Sequence, residues 1–444
     1  MDLFISMGRA FGALWLSPFY YLSILFVVWQ VRKQIVTERR LYSVRLHSIW
    51  SETWRTVVWG AAAGLAGTIA FAFVGAVLSP FTLYALWILA LLLSVLRIRY
   101  LCFAYASGAL GLLHAAASYV PEDFLGGGAA PFVRELAAVD MPSVLALVAL
   151  LHLAEAALVL RLGKRLATPL FFEGKRGKLI GGYRLQGFWP APMLLLVPAA
   201  GGGGSLPWEP LLGGSVWDGG WTVLAFPVVI GFGTMTTKLL PAAAARRGGR
   251  RLALYGPAAA VLAALSALAP VPAVAALAAV LVAGLHELVY AAGRIDEAQG
   301  SPYYVHDERG LKVLAVLPHS PAADLGIEAG DIVHKVNGLR VNSKAELHAA
   351  LRVNAAFTKL EVLNLEGQSK FLQRALFANE HHQLGIILCP DDDALYYAEA
   401  RSGGLFTFLR SRRTKSSSAP ASASVLALEA PRGGQGEPKP PATM

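Results

Sequence analysis

Nine apolar runs follow one another through the first 292 residues of this chain: 10–29, 57–78, 81–96, 100–120, 142–160, 188–200, 221–240, 252–269 and 271–292. A helix needs about 20 predominantly apolar residues to cross the hydrocarbon core of a bilayer, so most of these runs have the length of a crossing. They predict an α-helical polytopic membrane domain over residues 1–295 with about seven to nine transmembrane helices. The sixth run is interrupted by proline and the last two are rich in alanine, so re-entrant or interfacial segments are the alternative there. Composition points the same way: 55% of residues are hydrophobic and 15% charged, with a mean hydropathy of +0.50, well away from soluble averages. A cleavable leader is not expected, because the first apolar run lacks a basic start and an A-x-A site.

The net charge of +10 would suit nucleic acid if the basic residues formed one patch. They lie instead in short stretches between apolar runs, where they orient helices. Stretches 31–56, 97–99, 161–187 and 241–251 carry 19 Lys and Arg, whereas the opposite side carries Arg9 and Arg134. Those four stretches are therefore predicted to be cytoplasmic, with the domain after residue 300 on the same side. Nine crossings would leave the N-terminus outside. Arg32, Lys33, Arg39, Arg40, Arg45 and Arg55 suggest an amphipathic helix lying on the membrane surface. Gly60, Gly64 and Gly67 share a helical face, which predicts close helix packing. Cys102 and Cys389 are far apart and imply no disulfide framework.

Ionisable residues inside apolar runs are rare and invite a functional reading. Here they are His114, His152, Glu155, His286 and Glu287. His286-Glu287 begins like the H-E-x-x-H zinc signature of metalloproteases, but Tyr290 stands at the second histidine position. The set lacks a complete ligand group, so the preferred reading is mutual pairing that locks helix packing, with no metal, no cofactor and no catalytic residue. Metal binding or a proton relay is the competing reading. Gly201–Gly204 lacks the G-K-[ST] of a phosphate loop.

The stretch 310–338, GLKVLAVLPHSPAADLGIEAGDIVHKVNG, is soluble in character. It predicts a strand over 311–317, a helical turn opened by Ser320-Pro321, a strand over 332–336 and a hairpin at Asn337-Gly338. Ser343 and Glu346 form a capping box for a helix over 344–353. Strands over 359–365, 370–377 and 383–389 follow. The order and spacing of these features resemble a bacterial PDZ domain, an α+β fold built as a small, partly open β-barrel with capping helices, here over residues 300–390. PDZ domains take up an extended peptide, a C-terminus or an internal strand, beside a groove strand. The expected groove comprises Leu384, Gly385, Ile386, Ile387 and Leu388, after His382-Gln383, with Leu347, Ala350 and Leu351 on the opposite wall. Residues 302–305 are a second candidate for the carboxylate loop. The tail over 410–444, rich in Ser, Pro, Ala and Gly with a basic start, is expected to be disordered.

The whole layout resembles the MinJ family, membrane-and-PDZ division-site proteins of Bacillus-type bacteria. The resemblance rests on SPFYYL…RKQIVTERRLYSVR, the intramembrane His and Glu, HELV before the soluble domain, and NAAFTKLEVLNLEGQ…HHQLGI, and covers residues 10–390. It implies a non-enzymatic scaffold for septum site selection in the Min system. That scaffold would be a multi-pass protein of the bacterial cell membrane enriched at septum and poles. It would link the curvature marker DivIVA to MinD, and through MinD and MinC restrain the FtsZ ring. Implied partners are DivIVA, MinD, other divisome membrane proteins, membrane lipid and, in a homo-oligomer, a second copy; nucleic acid is not among them. Two other readings stand beside it: a membrane enzyme or transporter using the His/Glu set under PDZ control, and a PDZ adaptor for a membrane protease.

Overall fold

The computed structural model describes residues 2–75, 77–121, 128–174, 177–203, 206–354, 357–375, 384–391, 396–398 and 414–416. Helices α1 (Asp2–Leu16) and α2 (Pro18–Tyr42) form a pair bent by 52° where Pro18 follows Ser17. Then come α3 (Ile49–Val74), α4 (Pro80–Leu96), α5 (Phe103–Ser118), α6 (Ala130–Ala137) and α7 (Met141–Leu162). Three strands follow, β1 (Ala167–Glu173), β2 (Leu179–Gly203) and β3 (Trp221–Thr236), before helices α8 (Pro241–Leu268) and α9 (Pro272–Gln299) close the region.

Among the described residues, α3, α7, α8 and α9 are long and apolar enough to cross a membrane, and the bent α1–α2 pair makes five. The expected seven to nine is not reached among the described residues. α4 and α5, with 17 and 16 residues, fall short of the usual crossing length. Runs six and seven are strands β2 and β3. Pro190, Pro192 and Pro198 in β2 and Pro227 in β3 would each remove a helical hydrogen bond and clash with the preceding turn. Their β-branched neighbours Val197, Val223, Val228, Val229 and Ile230 suit a pleated strand instead. The two strands pair antiparallel, with Leu185 opposite Thr234 and Pro192 opposite Pro227.

Helix α3 covers the other edge of β2. The Leu194 N–H donates to Thr68 Oγ1 at 2.9 Å, so even-numbered residues of β2 turn their backbone polar groups away from β3. Pro190, Pro192 and Pro198 share that parity and have no N–H to leave unpaired. A Cβ on Gly60 or Gly64 would strike the backbone of Pro190 or Pro192, whereas one on Gly67 would meet only the end of Met193. These glycines therefore seat a helix on a strand, which corrects the expectation of helix against helix.

The expected surface helix is also corrected. Arg32, Lys33, Arg39 and Arg40 lie on the second half of α2, whose Val27, Val31 and Ile35 pack with Phe188. Glu38 is fully buried there and accepts the Leu46 N–H at 2.9 Å as the chain turns back.

The C-terminal module follows the expected order: β4 (Leu311–Val316), α10 (Pro321–Asp324), β5 (Ile332–Val336), β6 (Leu339–Arg340), α11 (Lys344–Arg352), β7 (Phe357–Leu363), β8 (Ser369–Ala375) and β9 (Ile386–Leu388). Ser320 and Ser343 cap α10 and α11. Asn337 and Gly338 take the positive φ values, 49° and 84°, that a tight hairpin between β5 and β6 requires. The sheet order is β8-β7-β5-β4-β9.

This module is bound to the membrane domain. The Tyr183 hydroxyl donates to the Leu314 carbonyl, Gly181 N–H to Tyr304 O at 2.9 Å, and Tyr303 N–H to Thr237 O at 2.9 Å. Asp296, near the end of α9, pairs with Lys238 at 2.7 Å, Arg247 at 2.6 Å and Arg251 at 3.1 Å. Two further strands, β10 (Tyr396–Ala398) and β11 (Thr414–Ser416), join β1 in the first sheet. Three residues of the tail expected to be disordered are thus a strand; the remainder of 410–444 lies outside the described residues.

Gly60→Ala and Gly64→Ala should each lower the stability of the membrane domain by about 1–3 kcal/mol, because backbone must move to admit the methyl group. Gly67→Ala should be close to neutral. Thermal unfolding of the purified chain in detergent measures the difference, and equal effects at all three positions would contradict the seating of α3 on β2.

Candidate functional site

β9 ends its sheet, and among the described strands it pairs only with β4. Gly385 C=O accepts from Leu317 N–H at 2.8 Å, and Cys389 N–H donates to Lys312 O at 3.0 Å. Odd-numbered residues thus hold β4, and Ile386 and Leu388 turn their backbone N–H and C=O to the free edge, where a peptide strand can add. Leu384 is buried with Leu347, Ala350 and Leu351 of α11, and Ile386 and Leu388 pack partly against that cluster. A half-covered edge beside an apolar wall results. Six of the eight expected groove residues meet here, and Gly385 shapes the loop. Ile387 does not belong: it is 7% exposed and points to the other face, toward Tyr304, Leu314 and Cys389. His382 and Gln383 lie outside the described residues. Residues 302–305 form no second loop, since Tyr303 and Tyr304 hydrogen-bond to Thr237 and Leu239 of the membrane domain.

Gly385 has φ +78°, and a Cβ there would collide with Ser320. Its role is to let the loop turn against α10, where the Ala322 N–H holds Leu384 O at 2.9 Å.

The intramembrane ionisable residues divide into three places. Glu287 accepts from both Arg99 terminal nitrogens, at 2.7 and 2.9 Å, and from the Tyr105 hydroxyl at 2.7 Å. The Tyr290 ring lies 4.2 Å from the same guanidinium, so the residue in place of the second histidine of a zinc signature serves a cation–π contact. His114, with Nδ1 3.1 Å from Leu136 O, lines a separate cavity with Ser118, Asp140 and Ser266.

His152 and His286 come together, their rings 5.1 Å apart, and Glu155 Oε2 is 4.0 Å from His152 Nε2. Cys102 joins them, its Sγ 3.2 Å from His152 Nε2 and 3.8 Å from His286 Nε2. Cys102 has no ligand-like spacing to either histidine, so motif spacing does not reveal it as their neighbour. The one available signal was a thiol at the very start of an apolar run.

The PDZ domain family profile matches residues 312–363. Over 391 residues, 87% of this chain and 96% of the relative, the chain is 30% identical to the cell division topological determinant MinJ of Bacillus subtilis (strain 168). It is 27% identical to the probable cell division topological determinant MinJ of Lacticaseibacillus paracasei, over 56% of this chain and 66% of that one. A probable periplasmic serine protease of Haemophilus influenzae shares 30% identity over 93 residues, 21% of this chain and 20% of its own. No solved structure matches significantly.

Gly385→Ala should lower PDZ stability by about 2–4 kcal/mol, the sum of a left-handed backbone strain and a collision with Ser320. A domain melt within about 0.5 kcal/mol of native would contradict the loop geometry.

Proposed function

The chain belongs to the MinJ family of cell-division topological determinants, and on that footing we propose that it is a non-enzymatic membrane scaffold that recruits division-site proteins through its PDZ edge. The observation that carries this reading is the free edge of β9, with Ile386 and Leu388 offering backbone hydrogen bonds beside the wall formed by Leu347, Ala350 and Leu351. A peptide strand added there is held by main-chain bonds and selected by the apolar wall. In this reading the scaffold is multi-pass, sits at septum and poles, and links DivIVA to MinD and MinC. Residues 1–295 anchor it and residues 300–390 bind.

A cytoplasmic PDZ domain is supported by the gathering of basic residues at its end of the molecule, where Lys238, Arg247 and Arg251 meet Asp296. A short strand-added peptide binds with about −7 to −8 kcal/mol, a micromolar affinity. Many copies in one membrane patch would raise the effective concentration enough to hold a partner at a pole.

Two measurements test the reading. In Bacillus subtilis lacking its own MinJ, the native chain should restore septum placement. Ile386→Asp at equal membrane abundance should leave filaments or misplaced septa and lose co-purification of MinD; full rescue by this variant would remove the edge as the working site. Separately, a cysteine at Ser343, with Cys389 replaced, should react with a membrane-impermeant thiol reagent only after lysis. Labelling of intact, wall-stripped cells would place the PDZ domain outside.

A further inference from the structure

We infer that Cys102, His152 and His286 bind a divalent zinc ion inside the membrane domain, with the Glu155 carboxylate beside the site as its neighbouring negative charge. The three ligand atoms all lie within 4.8 Å of one another. In tetrahedral zinc sites the Zn–S distance is about 2.3 Å and Zn–N about 2.0–2.1 Å, which sets ligand atoms roughly 3.4–3.6 Å apart. The observed separations of 3.2 Å and 3.8 Å from the sulfur bracket that spacing, and a thiolate with two imidazoles is a donor set suited to zinc.

Each ligand is prepared in a way that packing alone leaves unexplained. His152 Nδ1 lies 2.7 Å from the Val148 carbonyl of its own helix. That contact requires the proton on Nδ1 and leaves the Nε2 lone pair facing Cys102, the outer-shell arrangement that orients metal-bound histidines. His286 Nδ1 is buried without a partner, so the ring is held only by the long 3.8 Å contact of Nε2 with Cys102 Sγ, and coordination through Nε2 would fix its orientation. Glu155 is 8% exposed and accepts no hydrogen bond among the described residues; its Oε2 stands 4.0 Å from His152 Nε2. An unpaired carboxylate at such depth is expensive. One thiolate and one carboxylate balance the charge of Zn²⁺. Tyr255, with its ring 4.7 Å from His152 and 5.4 Å from His286, walls the cluster.

The ligands come from the entry to α5, from α7 and from α9. The ion would therefore tie together three helices, one of which leads directly into the PDZ domain. Glu287, the base of a zinc-protease signature, is held by Arg99, so the site reads as a structural staple.

The test uses the full chain, purified in detergent with a histidine-free tag, equilibrated with excess zinc and desalted. Elemental analysis should find one zinc per chain, and His114→Gln should keep it. Cys102→Ser and His286→Gln should fall to background. Glu155→Gln should weaken binding on the order of 10–100-fold. Cobalt(II) in place of zinc should give a thiolate charge-transfer band that Cys102→Ser lacks. A chelator should lower the melting temperature of the native chain, and zinc should restore it, a readout that needs no variant. If the monodisperse native chain holds no more zinc than Cys102→Ser, or chelator leaves its melting unchanged, the site does not exist.

Discussion

The membrane domain is built around one demand: strands β2 and β3 carry backbone N–H and C=O groups that need partners wherever apolar side chains exclude water. One edge of each strand is met by their mutual pairing from Tyr183 and Thr236 to Val197 and Thr222. The remaining edge of β2 is met by sequence. Proline at 190, 192 and 198 deletes donors at alternate positions, Thr68 of α3 takes the Leu194 N–H, and Gly60 and Gly64 let the helix approach. A residue choice in α3 that looks like helix-packing small residues is set by a strand more than 100 positions later in the chain.

The same hairpin builds the platform for the PDZ domain. β2 begins at the end where Gly181 and Tyr183 reach Tyr304 and Leu314, and β3 ends at Thr236 beside the loop that meets Asp296 and Glu297 of α9. Strand β9 lies between two cores, with Ile387 and Cys389 facing the membrane domain and Ile386 and Leu388 facing α11. A peptide captured on its edge would therefore bind next to the membrane domain. The candidate groove strand is thus packed against the membrane domain through Ile387 and Cys389, and the hydrogen bonds of Gly181, Tyr183 and Thr237 join the same module to the hairpin and the end of α9.

How much was legible depended on how local the signal was. The PDZ turns were readable because single residues dictate them: Pro321 after a serine cap, and Asn337-Gly338 in a hairpin. Helix α7 was readable from length and hydropathy. The strands β2 and β3 were misread as helices because hydropathy windows are blind to backbone geometry; the prolines were visible, and only their alternate spacing carried the strand. For the candidate groove, alternation along β9 identifies two faces but not which face meets a second domain, and the structure places Ile387 on the face toward the membrane domain. Cys102 could be noted only as a thiol at the start of an apolar run, because its partners lie 50 and 184 residues away and nothing in spacing joins them.

His286 and Glu287 show why a motif has to be resolved residue by residue. Neighbours on a helix point about 100° apart, so the two need not serve one centre. His286 turns inward to Cys102 and His152, and Glu287 turns to Arg99 and Tyr105. In a zinc protease both side chains of this pair would work on one metal, with a second histidine a turn later beneath it. Here that later position holds Tyr290, whose ring packs on the guanidinium that neutralises Glu287. The pair is divided between a charge-neutral ion pair and a cluster of soft ligands, each satisfied by a different part of the chain. Restoring histidine at position 290 would remove the ring from Arg99 without returning Glu287 to the cluster. Within this His-Glu pair, the departure from a zinc-protease signature is therefore the pairing of Glu287 with Arg99 as well as the tyrosine at the second ligand position.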